Sequence, residues 1–154
     1  MSELEKIVLT AAFTIFGGML VYVTGQLISK FLIDPTHELK KAIGEVRFNL
    51  AFHARVIHTP IARTQDRSDK AYEALLKSSC ELLAKVNAIP FYSFVSHISL
   101  GLLPSKTHIR CAAIQLRGLS TYVHETNDKA DSHIEEIRKR VARIERHLKL
   151  EPLE

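Results

Sequence analysis

The chain has 154 residues, with 21 Lys and Arg against 17 Asp and Glu, a net charge of +4 and a pI near 9.1. That length fits one domain plus one special segment, and the mild basicity suits an anionic membrane surface as well as it suits nucleic acid. Cys80 and Cys111 lie in separate helical patterns without the paired spacing of a zinc site, and a cytoplasmic body would keep them as thiols.

The mean hydropathy of +0.01 conceals an uneven chain, because a polar body dilutes one apolar end. Residues 7–29 carry no charge and are closed by Glu5 and Lys6 on one side and Lys30 on the other. As an α-helix this run is roughly 35 Å long, enough for a bilayer core of about 30 Å. It reads as a transmembrane helix. A cleaved signal peptide fits poorly, because the leading segment is net acidic and the apolar run is too long. A buried helix of a soluble protein would carry more polar residues than Thr10, Thr14, Tyr22, Thr24, Gln26 and Ser29.

Within the run, Thr10, Ala11, Thr14, Gly17, Gly18, Val21, Thr24 and Gly25 recur at steps of three and four and share a face. Small residues let helix backbones approach closely in lipid, so this face is expected to be a helix–helix interface that builds a homo-oligomer. Lys30, Lys40, Lys41 and Arg47 follow the run, whereas Glu3, Glu5 and Lys6 precede it. Lys and Arg resist translocation, which predicts an N-terminus outside and a cytoplasmic body.

The apolar run continues to Asp34-Pro35, a pair expected to end or kink the anchor and start a second helix. That helix carries Leu39, Ile43, Val46, Leu50, His53 and Ile57 as an amphipathic stripe. Residues 58–69 read as a loop, with Asp66 or Ser68 capping the next helix. There Tyr72, Leu75, Leu76, Ser79, Leu82, Leu83 and Val86 form the stripe, and the helix should stop near Ala88, before Pro90.

Residues 86–105 lack formal charge. Between Pro90 and Pro104, Phe91, Phe94, Val95, Ile98 and Leu102 form an apolar stripe beside a polar one of Ser93, Ser96, His97 and Ser99. The piece is too short to cross a bilayer, and both flanks are basic. It is expected to be a short helix that packs on the bundle or dips into the membrane surface.

Ser105 can cap a helix running to about Glu125, with Ile109, Ala112, Ala113, Leu116, Leu119 and Val123 as its core face. Thr126-Asn127-Asp128 reads as a turn. In the final helix Ala130, Ile134, Ile137, Val141, Ile144 and Leu148 make a coiled-coil-like heptad seam, expected to dock within the same chain as the fourth helix of the bundle. Ser132 and Glu135 match a capping box, although the seam begins earlier. The same helix carries Arg138, Lys139, Arg140, Arg143, Arg146 and Lys149, opposed only by Glu145. These six are a solvated face or a contact for anionic lipid or another polyanion; little aromatic interleaving argues against nucleic acid.

Chemistry is harder to place. His37, His53, His58, His97, His108, His124, His133 and His147 fall in no metal-binding spacing, and no Gly-rich loop fits a phosphate. No catalytic residue, metal or cofactor is assigned. The expected fold is all-α, with an extracytoplasmic N-terminus and transmembrane helix (1–33) followed by a small antiparallel helical bundle (34–154). The expected role is non-catalytic, through oligomerisation and contact with a protein partner at the membrane lipid. The rivals are a membrane-disrupting effector, such as a toxin or defence protein, and a membrane-tethered enzyme.

Overall fold

The structure, a computed structural model, describes residues 3–59, 64–98, 103–124 and 130–152. Among them there is no strand. The chain opens with α1 (Glu3–Ile28), passes through a π-helical turn (Ser29–Ile33) and runs into α2 (Asp34–Phe52). These form one continuous helix, Glu3–Phe52, of 50 residues. Of the end or kink expected at Asp34-Pro35, the end is corrected: the helix does not stop there, and a π-helical turn marks the junction. Proline lacks an N–H and its ring crowds the carbonyl four residues back, here that of Phe31. The chain widens by one residue instead of breaking, so that the Asp34 N–H donates to the Ser29 carbonyl five residues back.

α1 buries no residue, whereas α2 buries Leu39, Ala42, Val46 and Leu50. The stripe foreseen through Ile57 is interrupted at His53, whose φ of −95° and ψ of 7° end α2. A one-turn α3 (Ala54–His58) follows, and the bend lets the adjacent Val56 and Ile57 both enter the core.

α4 (Gln65–Ala88) starts earlier than expected. Thr64 stands at its N-cap position without a side-chain bond, and Ser68 is buried inside the helix instead of capping it. α4 returns antiparallel to α2: Lys85 pairs with Glu38 at 2.8 Å near one end, and Asn49 Nδ2 donates to Ser78 Oγ at 2.9 Å further along. Its end at Ala88, just before Ile89 and Pro90, is the one the sequence predicts.

α5 (Tyr92–Ile98) is the short helix expected between the prolines. Its buried side keeps only Val95 of the expected stripe among the residues whose burial is described. Tyr92 is buried and its hydroxyl donates to the Pro104 carbonyl at 2.6 Å, with Ile89 and Leu103 buried nearby in sequence. Phe91 and Phe94 point outward, 85% and 64% exposed. Leu102 lies outside the described residues.

α6 (Lys106–His124) begins as predicted, with the His108 N–H donating to Ser105 Oγ at 3.3 Å. All six residues of its expected core face are buried. α6 packs most extensively on α4, where the buried Ser79 hydroxyl donates to the Ala113 carbonyl at 2.9 Å, two small side chains meeting at the contact. The turn assigned to Thr126-Asn127-Asp128 lies outside the described residues.

α7 (Ala130–Leu148) packs on α6, with Ile137, Val141, Ile144 and Leu148 all in the core of the same chain. The bundle is thus α2, α4, α6 and α7. The last helix ends in a left-handed turn: Lys149 has φ 56°, the Leu150 N–H donates to the Glu145 carbonyl, and the Lys149 N–H reaches the Arg146 carbonyl. This is the Schellman pattern, and Leu150 packs back against the core as that motif favours.

Candidate functional site

The feature that sets this chain apart is α1. Phe13, Ile15, Phe16, Met19, Val21 and Tyr22 are each about two-thirds exposed or more, and nothing among the described residues buries them. An uninterrupted apolar surface of this size is not stable in water, which makes α1 a candidate membrane span.

Three hydroxyls of the helix are satisfied by its own backbone. The hydroxyls of Thr10, Thr14 and Thr24 donate to the carbonyls of Lys6, Thr10 and Leu20, at 2.8, 2.9 and 2.8 Å. The threonines therefore need no outside partner. The glycines are different. A methyl group added at Gly17, Gly18 or Gly25 would meet nothing within 4 Å. Their small size serves no contact within this chain. Thr10, Ala11 and Thr14 floor a shallow groove beside Lys6, Ile7 and Ile15. Val21, Thr24 and Gly25 are exposed further along the helix.

No protein-family model, curated protein or solved structure matches this chain.

The six basic residues of α7 separate into different environments. Arg140 belongs to the bundle. Its Nη1 donates to Gln115 Oε1 at 3.0 Å, its guanidinium lies 5.1 Å from the Tyr122 ring centroid, and its Nε is 3.3 Å from Glu136 Oε1. The Nε contact is an ion pair without aligned hydrogen-bond geometry. A methyl group at Gly118 would collide with this guanidinium, so the glycine in α6 leaves room for it. Lys139 pairs loosely with Glu135 at 3.6 Å. Arg138, Arg143, Arg146 and Lys149 are exposed.

The antiparallel packing decides which of these lie near the anchor. α6 sets out from the end where α4 finishes, and α7 comes back towards that end, where the His108 and His147 rings stand 5.2 Å apart. The α7 end that carries Arg146 and Lys149 therefore lies beside the start of α6, while Glu151, two residues past Lys149, pairs with Arg47 of α2 at 3.2 Å. Arg138 lies towards the far end, close enough to His58 to help hold that imidazole below its ordinary pKa, an effect due first to burial. Glu145 works in the opposite sense on the same ring.

The remaining titratable groups read as structural. Lys85 holds the Glu38 carboxyl below its usual range, and Glu38 raises Lys85 in return. Burial pushes the Tyr92 phenol up to about 12, so it stays a hydrogen-bond donor at any physiological pH. His53 and His147 are shifted down by burial, His147 also by His108 and neighbouring arginines. Among the described residues no three His, Cys, Asp or Glu side chains converge in a way that would hold a metal.

Two features escaped the sequence reading. Phe48 and Phe52 stack at 5.5 Å on the outer side of α2, an i, i+4 pair that periodicity alone could have flagged. The seat of Arg140 could not be read from one chain, because Gln115, Gly118 and Tyr122 lie on another helix.

Proposed function

We propose that this protein is a single-pass membrane protein whose helical body acts by self-association and partner contact, not by catalysis. The observation that carries this reading is the contrast within one continuous helix: α2 buries a face in the bundle, while α1 buries nothing. Three further features support it. The glycines of α1 serve no contact within the chain. The Thr10, Ala11, Thr14, Gly17, Gly18, Val21, Thr24 and Gly25 face offers a close-packing surface to a second copy. Lys30, Lys40 and Lys41 follow the apolar run directly, as suits the anionic inner leaflet.

The charge bias puts the N-terminus outside and the body in the cytoplasm. Topology is tested by labelling intact cells with an impermeant thiol reagent, using Glu3→Cys or Thr59→Cys with Cys80 and Cys111 changed to serine. Glu3→Cys should react, and Thr59→Cys should react only after lysis. The same response at both positions removes the single-span, body-inside topology. Induced expression alongside a potential-sensitive dye separates this reading from membrane disruption: indifference is expected, and rapid depolarisation would assign the protein to the disruptive class.

A further inference from the structure

α5 is short, pinned and inverted. Tyr92 holds it inward by burial and by the bond to the Pro104 carbonyl, and Val95 packs against the core. The two flanking phenylalanines, Phe91 and Phe94, are left outside at 85% and 64% exposure. Phe91 is also held at φ 52°, a left-handed conformation unfavourable for a bulky residue.

Their height along the bundle indicates what meets them. The Glu38–Lys85 pair sets α4 level with the start of α2. Glu38 stands roughly 8 Å past Ile33, where the apolar run of the anchor ends, and α4 continues roughly 5 Å beyond Lys85 towards that point. The chain then bends at the buried Ile89 and turns through Pro90 and Phe91 at this end of the bundle. The two rings therefore sit close to the level at which the candidate span would leave the bilayer. The polar layer of a membrane occupies several Å on each side of the hydrocarbon, and apolar side chains flanked by cations are suited to it. Lys30, at the end of the apolar run, and Lys106, the first residue of α6, are cations at this end of the bundle.

We propose that Phe91 and Phe94 are a membrane-inserted foot: the two rings enter the interface of an anionic bilayer beside the anchor and brace the bundle against it. This rests on α1 being the span. The bundle would then meet the membrane at two points, the anchor helix and the foot.

The chain has no tryptophan, so single substitutions are clean depth reporters. The full chain is reconstituted into phosphatidylcholine–phosphatidylglycerol vesicles, with lipids brominated either near the headgroup or near the chain terminus. Three variants are compared: Phe94→Trp in the foot, Phe16→Trp in the anchor and Phe48→Trp at the far part of α2. Phe94→Trp should emit to the blue and lose most of its emission to the shallow bromines. Phe16→Trp should be quenched by the deep ones, and Phe48→Trp by neither. Quenching of Phe16→Trp with water-like, unquenched emission from Phe94→Trp removes the foot and leaves the span. Blue-shifted but unquenched emission from Phe94→Trp also overturns the foot, because a second copy covers the ring instead. Absence of quenching at Phe16→Trp removes the span, and the foot with it.

Discussion

Lys149 shows how one residue can carry a structural cost in the open. It ends α7 in the left-handed region, where a side chain costs about 1–2 kcal/mol relative to glycine. The Schellman bonds from Leu150 and Lys149, and the packing of Leu150, hold it there. Glycine adopts this conformation freely but also gains freedom in the unfolded chain, which offsets part of the benefit. Lys149→Gly should therefore raise the stability of the body by up to about 1 kcal/mol. A denaturant titration of the detergent-solubilised protein measures it, and a lowered midpoint would mean that the lysine side chain contributes more than its backbone strain removes. Phe91 is the other non-glycine residue with positive φ among those described; it stands immediately before α5, where its carbonyl accepts from the Phe94 and Val95 N–H groups.

At the scale of elements, α7 is the helix whose place most needed deciding, because its seam could face its own bundle or another subunit. The structure docks it against α6, with Val141 6% exposed and Ile137 and Ile144 fully buried. Burial of one such side chain is worth roughly 1.5–3 kcal/mol, and a carboxylate in its place adds a desolvation cost. Val141→Asp should then consume much of a total stability of about 5–15 kcal/mol and abolish the cooperative melt of the body. Circular dichroism of the full chain in detergent reads this; a parent-like melt combined with loss of oligomer would place the seam between subunits. The seam was legible because Ile137, Val141, Ile144 and Leu148 repeat at helical spacing, and the α6 core face was legible for the same reason. What periodicity could not supply was set by local geometry. The proline at 35 was met by a widened turn, His53 broke its stripe, and the prolines at 90 and 104 turned Tyr92 inward in place of Phe91 and Phe94. Arg140 read as one member of a basic cluster, since its partners are distant in sequence.

At the scale of the whole molecule, the body is joined to the candidate span without a hinge. A continuous helix of 50 residues is roughly 75 Å long, and its distal portion is a full member of the bundle. Any association between anchors therefore sets how two bodies approach one another, and the face on α1 becomes the point of control. In lipid that association depends on backbone proximity, because a leucine gains as much from lipid as from another helix. Gly18 and Gly25 have open space around them within one chain, so a larger side chain at either costs nothing in the isolated protomer. Between two protomers it would hold the backbones apart. Gly18→Leu or Gly25→Leu should reduce crosslinked dimer in purified membranes, whereas Leu20→Ala should change it little. Neither glycine variant should alter the melting of the body, which touches no part of that face. Parent-like crosslinking of all three variants would show that the small-residue face is not where the copies meet.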